Sequence, residues 1–285
     1  MFNHLKTISR INTVFSLCLL LIACTACIEV NPAPPAPKIP TPKPSDILHI
    51  GIDPNLVSLQ TVLSEQLKLS RNDGQMTLFV TGSSDTLQRQ VAAGELDSIF
   101  TYQKPAAPGL WTMPVALDSI AVIAHPSLNL SSLTRSDLQQ IFAGDIQSWQ
   151  SISGQNRPVS VFVIGAESGT RELFNERVME NRPFVVSAVV PLNLNAMLEA
   201  VAQTEGGVGF LPTSVIGSNT SIQMVTVDNF FPQFNTVRSQ QYPLTIPIYM
   251  ATAEEPQGEM RKLAAWLQSA DGQQSLSNRF VQIGN

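Results

Sequence analysis

A chain of 285 residues, 44% hydrophobic and 14% charged, can bury one large core or two moderate ones. Its 17 Lys and Arg stand against 22 Asp and Glu, a net charge of −5 with no basic run, which argues against a nucleic-acid partner. The cysteines, Cys18, Cys24 and Cys27, all precede residue 28, so the remainder holds neither a disulfide nor a thiolate metal site.

The first residues read as a targeting segment. His4, Lys6 and Arg10 form a basic start, and Val14 to Ala23 is almost wholly apolar. That run is shorter than the ~20 residues a membrane-spanning helix needs. It ends Leu21-Ile22-Ala23-Cys24, which resembles the bacterial lipobox: a leucine three residues before a cysteine, and a small residue just before it. The resemblance implies a lipoprotein signal peptide over residues 1–23 and lipidation at Cys24. A second frame ending at Cys27 lacks the leucine, and a plain secretory signal or an uncleaved anchor are the other readings; all export the chain. The expected location is the extracytoplasmic face of the cell membrane. Residues 24–45 then carry the lipidated end and a proline-rich tether, Asn31 to Ser45, extended and semi-rigid.

The body opens with Asp46 to Ile52, alternating as a strand does. Asp53-Pro54 reads as an N-cap with proline at the first helical position, followed by Leu56, Leu59, Val62, Leu63 and Leu67 at helical spacing. Gln75 to Thr81 is a second strand; Gly82, Ser83 and Ser84 open a second helix; Leu96 to Thr101 is a third strand. This alternation predicts a parallel sheet with helices on both faces, with ligands beyond the carboxyl ends of the strands. Met113 to Ala124 is a long buried strand. Ser132 to Gly144 holds a short helix with a Ser or Thr cap and a terminal glycine. Val159 to Ile164 is a strand, and Phe184 to Val186 a loop entering another. Asn195 to Ala202 is a helix and Gly206 to Leu211 a turn and buried strand. Ile222 to Val227 is a strand and Phe230 to Gln241 is irregular. Pro243 to Ala251 is a strand broken by Pro247, and Met260 to Ser269 is a helix.

The stretch Ala166 to Phe174 carries the strongest local signal. It follows a strand and opens a helix with Ser168, Gly169 and Thr170. Such a helix start directs unpaired N–H groups and the positive end of the dipole at one spot, which suits an anion. The same residues also make an ordinary N-cap.

Several blocks, in order, resemble the phosphate-binding subunits of bacterial ABC phosphate importers. Leu133-Thr134 through Ile141-Phe142-Ala143-Gly144 to Trp149 is similar to their "LT…IF.G.I..W" block. Ser168-Gly169-Thr170-Arg171 looks like their "SGTR" anion loop. Gly207 to Phe210, Tyr242-Pro243-Leu244 and Leu267 to Gln273 resemble further blocks. The resemblance spans nearly all of residues 46–285. It implies an α/β type II periplasmic-binding-protein fold with two lobes and a two-strand hinge. Lobe 1 would cover residues 46–120, lobe 2 residues 121–225, and a return to lobe 1 residues 226–285. It implies a monomeric, lipid-anchored solute-binding protein that delivers phosphate or a similar small oxyanion to an ABC permease. No cofactor or metal is expected.

By the same resemblance, Ser168, Gly169 and Thr170 contact ligand from lobe 2, and Gly82, Ser83 and Ser84 from lobe 1. Asp53 and Asn55 occupy the family's first loop, where a serine or threonine is usual. Thr101-Tyr102 stands where the family has an aspartate, and Ile164 where it has an arginine. Asp53 then either takes the proton-acceptor role from a different loop or caps its own helix. An exported enzyme is disfavoured: His49 and His125 are far apart, and ESGTR lacks the flanking glycines of a hydrolase elbow. The remaining alternative is a ligand-sensing or envelope-interaction lipoprotein with a ligand other than phosphate. Trp111, Trp149 and Trp266 read as packing residues.

Overall fold

The structure, a computed structural model, describes residues 47–70, 76–217 and 221–283. The signal peptide, the lipidation site Cys24 and the tether lie outside the described residues.

The first lobe begins β1 (Ile47–Ile52), α1 (Val57–Ser70), β2 (Met76–Thr81), α2 (Ser84–Ala92), β3 (Ser98–Thr101). β1 lies parallel to both β2 and β3, so the turns after β1 and β2 leave the same end of the sheet, with Ile52 opposite Thr81. The sheet hides α1 through Leu59, Leu63 and Leu67, which recur every four residues. α1 starts at Val57 rather than at Pro54, after a turn in which Leu56 N–H donates to Asp53 O at 2.9 Å.

β4 (Trp111–Ala124) is buried almost without break from Val115 onward. β5 (Ser132–Leu133) and α3 (Arg135–Ala143) follow, then α4 (Gln150–Ser153) and β6 (Ser160–Val161). α3 has the expected ends: Thr134 and Asp137 form a capping box, and Gly144 closes it at φ 86°. The predicted strand Val159 to Ile164 is laddered only at Ser160–Val161. Beyond that the chain stays extended, with Phe162 N–H donating to Val208 and Val163 N–H to Val189. The loop from Phe184 therefore makes only a single bridge, Val189 to Phe162, rather than a strand.

α5 (Gly169–Phe174) continues into one wide turn over Asn175–Met179, followed by α6 (Leu194–Gln203), β7 (Gly207–Pro212), α7 (Thr213–Ile216) and β8 (Gln223–Val227). Phe142, Phe174, Phe184 and Phe210 cluster beneath α5, with Phe174 and Phe210 stacked at 3.8 Å. Buried Trp149 donates its indole N–H to Gly206 O at 3.0 Å. Both features seat α5 on a rigid floor.

The chain closes with α8 (Phe234–Arg238), β9 (Thr245–Thr252), α9 (Gly258–Gln268) and α10 (Ala270–Leu276). The segment expected to be irregular thus holds a helix, α8, entered through a box between Gln233 and Thr236. Pro247 does not break β9. Ile120 N–H donates to Leu244 O, which sets the ladder bonds on alternate residues and turns Pro247 away from β4. On that other side β3 has already ended, at Thr101 opposite Tyr249, so no ladder bond is lost.

The strand order is β2-β1-β3-β9-β4-β7-β6, with β8 on β4 and β5 on β8. β4 joins two sheet regions: Trp111 to Ser119 pairs β9, and Ile120 to Ala124 pairs β7. Leu244 and Thr245 cross back beside Ile120 and Ser119, giving the second hinge strand. Tyr242 pins this crossing by donating its hydroxyl to Ile120 O at 2.8 Å. The molecule is a two-lobed α/β protein with a two-strand hinge.

Candidate functional site

The turn after β1 and the start of α5 meet at the hinge. Asp53 is 1% exposed, Asn55 5%, Ser168 3% and Thr170 0%. The Asp53 carboxylate accepts from Asn55 N–H at 2.9 Å through Oδ1, and from Gly169 N–H at 2.8 Å through Oδ2. The Asn55 side-chain amide donates to Ser168 Oγ. Ser168 caps α5: its Oγ accepts from Thr170 N–H at 3.1 Å and Arg171 N–H at 3.4 Å. A residue from the first lobe therefore occupies the anion position of a second-lobe helix.

Glycine at 169 is needed for this approach. A Cβ there would lie 2.7 Å from Asp53 Oδ2 and 3.6 Å from Tyr102 Cβ. Burial pushes the Asp53 carboxyl up to about 6, against the lowering pull of its two backbone N–H donors; Glu172 adds a smaller upward push. Desolvation outweighs the hydrogen bonds because no cation stands beside it among the described residues. Arg171, two residues beyond Gly169, turns back to donate to Ile164 O at 2.8 Å and lies over the Phe184 ring at 4.9 Å.

Thr170 Oγ1 is buried with no hydrogen-bond partner among the described residues. A buried hydroxyl left unpaired costs about 1–3 kcal/mol.

Gly82, Ser83 and Ser84 lie at the end of β2, next to the end of β1, but their hydroxyls serve their own helix. Ser83 caps α2, accepting from Thr86 N–H at 3.4 Å. Ser84 Oγ accepts from Gln88 Nε2 at 3.0 Å, and Gln88 Oε1 in turn holds the N–H groups of Ala106 and Ala107. The structure brings Asp53, Asn55, Ser168 and Gly169 into direct contact; the hydrogen bonds of Ser83 and Ser84 do not extend to them.

A second buried carboxylate, Asp118 on β4, was not singled out from the sequence. It accepts from Ser119 N–H at 2.8 Å, Ser214 N–H at 3.2 Å, Ser214 Oγ at 2.6 Å and the Tyr102 hydroxyl at 3.1 Å. Burial pushes it up to about 6 in spite of these donors. The Tyr102 hydroxyl lies between Asp118 and the Asn55 carbonyl, 3.5 Å from the latter, and burial raises its pKa, with Asp118 and Asp53 adding to the effect. The available signal was a lone acid inside the apolar run MPVALDSIAVIA. Among the described residues no group of three or more His, Cys, Asp or Glu is placed to hold a metal, and no helix is long and apolar enough to cross a membrane.

Comparison with known proteins agrees with this architecture. The model of the PBP superfamily domain matches residues 73–271. The phosphate-binding protein PstS of Bacillus subtilis is 23% identical over 198 residues, covering 69% of this chain and 65% of that protein. The protein SphX of Synechococcus elongatus is 26% identical over 156 residues, 50% of this chain and 46% of its own. The chain thus spans less than two thirds of the curated relatives it matches. Among solved structures, an ABC-type phosphate transport receptor from Vibrio cholerae superposes with a TM-score of 0.71 at 20% identity, covering 82% of this chain and 99% of that one. A Clostridium perfringens protein described as a phosphate ABC transporter substrate-binding protein, with bound phosphate, gives 0.73 at 20% identity, with 84% and 100% covered. With most of its length matched by that model, and with two α/β lobes joined by two hinge strands, this chain belongs to the PBP superfamily-domain family in its type II form.

Proposed function

We propose that this chain is an extracytoplasmic solute-binding protein of an ABC importer, with phosphate or a similar small oxyanion held between the lobes. The observation that carries this is Thr170 Oγ1, fully buried and unpartnered beside Ser168 and Gly169. Ligand oxygens would take that hydroxyl and, in place of Asp53, the Gly169 amide from the second lobe, with Asn55 and the Gly82–Ser84 turn reaching from the first. The phosphate-binding relatives support the ligand class. The pairing switch of β4 at Ser119 and Ile120 supports a lobe division near residue 120, and the crossing of Leu244 and Thr245 beside it supports a return near residue 244 rather than 225.

Asp53 gives this site its selectivity. A ligand must either displace its carboxylate from Gly169 N–H or donate a proton to it. Monohydrogen phosphate carries that proton and sulfate does not, so phosphate is favoured over sulfate. A monomer held at the membrane through lipid on Cys24 completes the proposal, with the proline-rich tether as spacer.

A second reading, a ligand-sensing or envelope-interaction protein, is favoured by one observation. The Gly169 amide is already taken by Asp53, and no cation lies beside it among the described residues. Titration calorimetry of the purified protein with phosphate and with sulfate separates the two. Phosphate binding with weak or absent sulfate binding supports the transport reading, and binding of neither supports the second.

A further inference from the structure

Against Ser168 and Asn55 lies a cavity of about 690 Å³. Cavities of ~300–1,000 Å³ suit organic ligands of many atoms, more than an inorganic tetrahedral ion fills. The wall is aliphatic, made by Val57, Ile164, Val190, Leu192, Met197 and Val215. Three of these are left facing water: Val57 is 51% exposed, Val190 54% and Leu192 94%. Its lining holds no Lys, Arg or His, and Glu167 is its one charged member. Asn55 and Ser168 also line the cavity, so the bridge between the lobes forms its polar end. A polar end with hydrogen-bonding side chains and an aliphatic body is the make-up of a site for an amphiphilic small molecule.

Resting on the oxyanion reading above, we propose that the solute is an oxyanion bearing a short aliphatic chain, an alkyl phosphonate or phosphate monoester. Its head sits against Ser168 and Asn55, where the cavity meets the start of α5, and its chain runs along Ile164, Val190, Leu192 and Met197. Such a head can bind as its monoanion, whose single charge suits a site without a neighbouring cation. A head that keeps one proton also retains a donor for Asp53.

The test is titration calorimetry of the purified protein with inorganic phosphate and with methyl-, propyl- and pentylphosphonate. Affinity is expected to rise with chain length by about fourfold per added methylene. In a Val190→Ser, Leu192→Ser variant, which shortens the aliphatic wall at water-facing positions and adds no charge near the anion, the series is expected to flatten while phosphate affinity stays unchanged. Phosphate binding with no gain along the series would overturn the proposal and leave the oxyanion reading standing. A gain that survives in the variant would overturn the cavity assignment, and would leave the aliphatic rim as a surface for a protein partner. Binding of neither phosphate nor any phosphonate would overturn both.

Discussion

Asp53 Oδ2 accepts the backbone N–H of Gly169 at 2.8 Å, joining two residues 116 positions apart and on opposite lobes. The bond, with the neighbouring Asn55 to Ser168 contact, latches the lobes through the atoms proposed to bind ligand. Ligand and latch therefore compete for the same amide.

Gly169→Ala tests the latch sterically. The new methyl would sit 2.7 Å from the Asp53 carboxylate, with Tyr102 behind it, so one side must move. A loss of about 1–3 kcal/mol in urea unfolding is expected, together with loss of phosphate binding. Full stability in the variant would show that the approach of Asp53 is dispensable.

Thr170→Val replaces the unpartnered hydroxyl with a methyl of similar size. Without ligand the variant should be as stable as the parent or more stable by about 1 kcal/mol, since a buried unpaired group is removed. Phosphate affinity should fall by about tenfold or more, the worth of one hydrogen bond to a charged partner. Thermal melting with and without phosphate reads both effects.

The two buried carboxyls set a pH dependence. Asp53 and Asp118 are both pushed up to about 6 by burial, from 3.8. The folded state therefore binds protons that the unfolded chain has released between about pH 4 and 6. Their contribution is fully present below about pH 4 and is lost as pH rises through about 6. Each accounts for on the order of 3 kcal/mol. Unfolding midpoints should therefore fall from pH 4.5 to pH 7.5, and Asp118→Asn should flatten that slope. A slope of unchanged steepness in the variant would remove Asp118 from the account.

Phe210→Ala tests the floor under α5. It removes the ring stacked on Phe174 at 3.8 Å and in edge contact with Phe142 at 5.6 Å. A loss of about 3–5 kcal/mol in urea unfolding is expected, and ligand affinity should fall with it.

Where local chemistry decided the structure, the sequence was a sound guide. Thr134, Asp137 and Gly144 mark both ends of α3, and Ser168 caps α5 as its position before Gly169 suggests. The alternating strands and helices gave β1 to β3 with α1 and α2 between them, and the acid in the first loop, Asp53, is a residue that meets Gly169. What was hidden depends on tertiary partners. The end of β3 frees Pro247 from any need for a ladder bond, which no local pattern displays. Asp53 reads as a helix cap until α5 is placed against it. The Asp118, Tyr102 and Ser214 cluster joins three segments whose spacing carries no motif. Ser83 and Ser84 look like ligand groups by position, yet their hydroxyls serve α2.

The central claim is that an oxyanion binds at Ser168, Gly169 and Thr170. Titration calorimetry of phosphate into the parent protein and into a Ser168→Ala, Thr170→Ala variant tests it most directly. The account predicts saturable binding to the parent and none detectable in the double variant, with folding confirmed by an intact unfolding transition. Equal affinity in the two proteins would place the ligand elsewhere and contradict the account.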